Sequence, residues 1–135
     1  MKYVVLLGRI LFAFMFTQVY RSHFSSMGIG YAESYGVPLA SMAVPLSGVI
    51  AILGGLMIAF GFKAKLGAWL IVIFLVPVTL YMHRFWGVSD PMMAMAQAAN
   101  FWKNVSMLGG ALIIAYFGSG PLSLDSVLKS GKKVS

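Results

Sequence analysis

The chain has 135 residues, of which 60% are hydrophobic and only 10% charged, and its mean hydropathy is +0.89. A water-soluble domain of this size needs more charge to cover its surface, so the composition points to a membrane protein. The lack of cysteine excludes disulfides, thiolate chemistry and C-x-x-C-H haem attachment, and a net charge of +7 scattered around apolar runs provides no nucleic-acid-binding face.

Four apolar runs follow one another: Tyr3 to Tyr20, Met42 to Phe62, Leu66 to Met82 and Phe101 to Phe117. At about 1.5 Å per residue, a run of 17 reaches roughly 26 Å, nearly the thickness of a bilayer core, and aromatic residues at the run ends complete the crossing. The runs lack the alternation of a membrane barrel, so each is expected to be a helix. The first run is interrupted by Arg9 and is followed by no A-x-A cleavage site, so it reads as a retained helix.

Arg9 lies about 9 Å inside that first helix. It either snorkels to the near headgroups or faces the bundle to hold an anion or a carbonyl. Gln18, Arg21 and His23 then leave the first span. The second span carries Ala51, Gly55 and Ala59 at every fourth position, the small-residue spacing that lets helices touch in lipid; Ser106 and Gly110 repeat the spacing on the fourth. A tight "GFKAK" turn makes the second and third spans antiparallel neighbours. Pro77 is expected to kink the third span, with Thr79 near the freed backbone groups.

Between the third and fourth spans, residues 83–100 begin with His83, Arg84 and Trp86. Ser89 or Asp90 can cap a helix with Pro91 in its first turn, and the methionine-rich stretch Met92 to Ala99 is expected to be a short interfacial helix. That helix is also a surface on which a partner could dock. Trp102, Lys103 and Asn104 then enter the fourth span. Finally, "GSGPLSLDS" supplies a helix stop and a cap at Ser123 or Asp125 before a basic tail.

With four spans both termini share one side. That side carries Lys2, Lys63, Lys65, Lys129, Lys132 and Lys133, against Arg21, Arg84 and Lys103 on the other, so the termini are expected to be cytoplasmic. The fold expected is an all-α four-helix transmembrane bundle over residues 1–125, followed by a basic cytoplasmic tail over 126–135. No acidic residue falls inside a span, so no intramembrane carboxylate relay is available. Three segments reach the outer mouth of such a bundle: Gln18, Arg21 and His23; His83, Arg84 and Trp86; and Lys103 with Asn104. Their imidazoles, cations, amides and indole suit a quinone headgroup, a lipid phosphate or a partner protein. His23 and His83 are two imidazoles that could ligate one haem iron, but haem is disfavoured, and no ligand spacing or carboxylate set makes a metal site.

The segments "LLGRILFAFMF", "YGVPLA", "GGLMIAFGFKAKLGAWL", "YMHRFWGVSDP", "FWKNVSMLGGALIIAYFG" and "GSGPLSLDS" together resemble the DoxX family of small membrane proteins over roughly residues 5 to 126. The resemblance implies a four-helix bundle in a bacterial inner membrane, associated with quinone-linked redox complexes. It departs from that family at Ala51, where many members carry glutamate, and at Arg21 and Ser22, where many carry lysine. The function expected is a non-catalytic accessory or scaffold subunit of a membrane redox system, with a quinone as the candidate cofactor and a redox complex as partner. The alternative is a small transporter or lipid or metabolite binder that uses Arg9 in the bundle interior. Small-residue faces could also pair copies of the chain as a homo-oligomer.

Overall fold

The computed structural model describes residues 1–131, and all regular structure among them is helical. Seven helices occur in the order α1 (Lys2–Thr17), α2 (Tyr20–His23), α3 (Ser26–Ser34), α4 (Ala40–Phe60), α5 (Ala64–Met82), α6 (Pro91–Phe117) and α7 (Leu124–Gly131). Three segments are long and apolar enough to cross a membrane: Lys2–His23, which joins α1 to α2, then α4 and α5. The long helices α1, α4, α5 and α6 share one core, built on Phe16, Ala51, Ile58, Ile71, Leu75 and Ala111. α4 packs between α1 and α5, and α5 packs on α6.

The approach of α4 to α5 depends on two glycines. A Cβ added at Gly54 would stand 2.8 Å from the Gly67 carbonyl oxygen, and one added at Gly67 would stand 2.9 Å from that of Gly54. Real side-chain carbons do not come so close to backbone oxygen, so the two helices meet at bare backbone. On the opposite side of α4, a Cβ at Gly55 would lie 3.2 Å from the Ala13 carbonyl of α1. Ala51 is fully buried beside it and Ala59 packs at the edge of the same core. Gly110 of α6 faces the ring of Phe12, whereas Ser106 is exposed.

One expectation is corrected by the chain path. Residues Met92 to Ala99 do not form a separate interfacial helix. They are the first turns of α6, which runs unbroken for 27 residues from Pro91. Asp90 is its cap, accepting the Met93 N–H at 2.8 Å, and no proline or glycine interrupts the helix until Gly109, so nothing ends it at Asn100. The long connection over residues 21–41 holds α2 and α3. Ser25 caps α3 by accepting the Gly28 N–H at 3.1 Å. At the other end, the expected boundary at residue 125 falls inside α7, and the remainder of the expected tail, 132–135, lies outside the described residues.

A bulky residue at the α4–α5 crossing should be poorly tolerated. Gly54→Val is expected to cost about 1–3 kcal/mol through overpacking, read as a lowered unfolding temperature in detergent, while Val at exposed Gly109 should leave the temperature nearly unchanged.

Candidate functional site

The polar residues gather at two opposite ends of the bundle. At the end formed by the α4–α5 turn, Arg9 is 4% exposed. Its guanidinium donates to the Ser119 carbonyl and, at 2.7 Å, to the Leu122 carbonyl. It therefore neither snorkels nor faces an open interior: the segment after α6 folds back over it and supplies the acceptors. Burial of a guanidinium demands such partners, since an unpaired charge there would be very costly.

Asp125 completes the same closure. Its carboxylate accepts the Lys63 N–H at 3.0 Å and the Ser119 hydroxyl, and its own backbone N–H donates to the Gly61 carbonyl at 3.0 Å. α5 has no capping side chain of its own at Lys63, so Asp125 caps it from 62 residues away in the chain. The hydrogen bond from Ser119, followed by that from the Lys63 N–H, holds the Asp125 carboxyl below the usual carboxylate range.

At the other end, a cavity of about 360 Å³ opens among α2, α3, α4 and α5. His23 and His83 both line it, with Tyr31, Val44, Pro77 and Met82 among the remaining walls. His23 Nδ1 lies 3.1 Å from the Val19 carbonyl, and its ring packs 5.6 Å from that of Phe74. A carbonyl can only accept, so Nδ1 carries the proton and Nε2 is left as an acceptor. A Cβ at Gly48 would sit 2.6 Å from His23 Cβ, so the missing side chain makes room for the histidine.

His83 is placed by a chain of side chains from three elements. Its Nδ1 lies 2.9 Å from Gln97 Oε1; Gln97 Nε2 donates to the Tyr35 hydroxyl at 3.0 Å; and the Tyr31 hydroxyl donates to that of Tyr35 at 3.2 Å. Arg84 reaches the Tyr35 carbonyl at 3.4 Å. The bond to Tyr35, with burial second, raises the Tyr31 hydroxyl above the ordinary phenol range, so it is neutral at physiological pH. With Nδ1 donating to the amide oxygen, His83 also presents Nε2 as an acceptor.

The remaining expected site residues are not brought to this cavity. Gln18 reaches only its neighbour Thr17, at 3.4 Å, and Arg21 stays exposed beside Tyr20. Trp86 packs against Phe85 and Phe101. Lys103 donates to Asn100 one turn back at 2.8 Å, and Asn104 is buried in the bundle. The reason is the continuity of α6. A helix that starts at residue 91 places Gln97 at the level of His83, and Asn104 about 10 Å further along the axis. Tyr31, Tyr35 and Gln97 are the residues that sequence reasoning missed. The i, i+4 spacing of the two tyrosines was the available signal for a helix between 26 and 34. Among the described residues, no three side chains of ligand type come together to hold a metal.

Apolar helices sharing one core, with most polar side chains toward the two ends, define a multi-pass integral membrane protein. The profile of the SURF4 family matches residues 1–131, so the chain belongs to that family. It is 29% identical to the inner membrane protein YphA of Escherichia coli over 97 residues, 72% of this chain and 69% of that protein. It is also 26% identical to the Surfeit locus protein 4 homolog of Drosophila melanogaster over 126 residues, 92% of this chain but 40% of the longer fly protein. No solved structure matches. These findings overturn the resemblance to DoxX: the order of short motifs that suggested it belongs instead to a SURF4 family chain.

Arg9→Leu should cost roughly 3 kcal/mol, from two charge-assisted bonds to carbonyls that would stay buried, and Arg9→Lys should recover only part because one ammonium cannot match a forked donor; thermal unfolding in detergent measures both. The depressed Asp125 value stabilises the docked tail above the ordinary carboxyl value of 3.8 and loses that contribution as pH falls through the lower folded value. Pepsin should therefore cut within α7 increasingly below about pH 4, and Asp125→Asn should flatten that dependence.

Proposed function

We propose that this protein binds a small, hydroxyl-bearing apolar molecule in the cavity between α2, α3, α4 and α5. The observation that carries the reading is the pairing of an apolar cavity of about 360 Å³ with two histidines on its wall, each fixed through Nδ1 so that Nε2 accepts. That volume is at the lower end of the range for small-molecule pockets, roughly 300–1,000 Å³. Val44, Val78 and Met82 suit an apolar body, and two imidazole acceptors suit a hydroxyl donor. The two long wall helices each carry a proline, Pro77 of α5 on the cavity wall and Pro45 of α4 beside the lining residue Val44, and each removes a backbone bond from its helix.

Arg9 is a weaker candidate for the ligand site, because both of its terminal nitrogens already donate to carbonyls at the far end of α4 and α5. The redox-scaffold reading loses its basis with the family that suggested it. In this proposal α6 is the fourth span, both termini are cytoplasmic, and the cavity opens on the outer side of a bacterial inner membrane. The excess of lysine around the inner turns and the similarity to an inner membrane protein support that placement.

The test uses protein in phosphatidylcholine nanodiscs and a long-chain primary alcohol bearing a diazirine. Photolabelling should concentrate on residues 22–32 and 77–83, and unlabelled 1-decanol should compete where decane does not. Replacing both His23 and His83 with Phe should reduce that labelling roughly tenfold, the worth of about two ordinary hydrogen bonds. Labelling spread evenly along the lipid-facing side of α1, or unchanged in the double variant, would sink the reading.

A further inference from the structure

A second cavity, of about 640 Å³, lies at the opposite end, where α5 begins and α6 ends. It is walled by Lys63, Lys65 and Lys129 from three separate elements, by Ser119 and Ser126, and by Leu66 and Phe117. We propose that it is a binding site for the phosphate headgroup of an anionic phospholipid.

Charge is the first argument. Lys65 and Lys129 line the pocket with Lys63, whose ammonium stands 5.5 Å over the Phe62 ring, and the one carboxylate among them, Asp125, already has both oxygens engaged by the Lys63 N–H and the Ser119 hydroxyl. The lysines are therefore left with no carboxylate to neutralise them fully, while a phosphate supplies the missing charge and the acceptors for ammonium and hydroxyl donors. Position is the second argument. Lys65 is not a loose surface side chain: a Cβ at Gly118 would touch its Cε at 3.1 Å, so its stem lies across the end of α6 and holds the ammonium over the seam between α5 and α6. A basic pocket between two helix ends at one membrane face is the arrangement that takes lipid headgroups.

The apolar walls decide between a lipid and free phosphate. Leu66 and Phe117 are exposed, and Trp69, one turn further into α5, is exposed as well, so an apolar surface continues from the pocket along the spans. Leu124, Val127 and Leu128 of α7 are also exposed beside the pocket. A soluble phosphate would use none of this surface, whereas acyl chains below a bound headgroup would cover it.

The full-length protein, reconstituted in nanodiscs of phosphatidylcholine with 0 to ~30% phosphatidylglycerol, is the material for the test, with native mass spectrometry counting retained lipids. Wild type should retain phosphatidylglycerol in preference to phosphatidylcholine, and the double variant Lys65→Gln, Lys129→Gln should weaken that preference on the order of 30-fold, about a tenfold factor or less per lysine. Its unfolding temperature in pure phosphatidylcholine should match wild type, which separates a lost site from a damaged fold. Arg21→Gln with Lys103→Gln removes the same charge from exposed positions at the opposite end and should keep most of the preference. No preference in wild type, an equal loss in the Arg21 and Lys103 variant, or full displacement of the lipid by millimolar inorganic phosphate would each overturn the assignment.

Discussion

The burial of one charge organises one end of this molecule. Arg9 sits inside an apolar helix, where its guanidinium is tolerable only if carbonyl oxygens come to it. The first helix has none to spare, because its own carbonyls are committed to the helical ladder. Ser119 and Leu122 provide them, which means that the segment after α6 must turn back at Gly118 and cross the end of α1. Once there, the segment brings Asp125 to the start of α5, where it satisfies an amide that no local side chain caps. One buried cation thus ties the first span, the α4–α5 turn and the last helix into a single closed end.

The other end is built on the opposite principle. No arginine, lysine or carboxylate is buried there, and hydrogen bonds link His83, Gln97, Tyr35 and Tyr31. Prolines interrupt the backbone ladders of both wall helices, and α2 with α3 fills the mouth with short elements. Neutral networks and short helices cost less to rearrange than a paired guanidinium.

Much of the helical architecture was legible in the sequence because it depends on local pattern. Apolar runs of bilayer length, the GFKAK turn and a cap at Ser89 or Asp90 each announce themselves within a few residues. Features that depend on register across the chain were not legible. The placement of Gln97 beside His83 follows from α6 continuing through Asn100, and a run of alanine and methionine reads equally well as a separate surface helix or as the start of a span. Asp125 looked like a local cap and serves a distant helix. The family assignment failed for a related reason. Six short segments matched in order, but Ala51, one of the departures, carries the physical signal: it is fully buried in the shared core, where a glutamate would find neither space nor a partner.

The two ends also differ in the kind of ligand each can hold, and the difference follows from what the helices leave unsatisfied. At the cavity among α2, α3, α4 and α5 the Nδ1 donors of both histidines are spent on carbonyl and amide oxygens, which leaves acceptors suited to a neutral donor. At the pocket beside the start of α5 the carboxylate is spent and lysines line the wall, which suits an anion. α5 passes from one site to the other, and a phosphate bound at its start would reach the far cavity only through that helix and its bare-backbone crossing with α4 at Gly54 and Gly67, which has no side chains with which to yield.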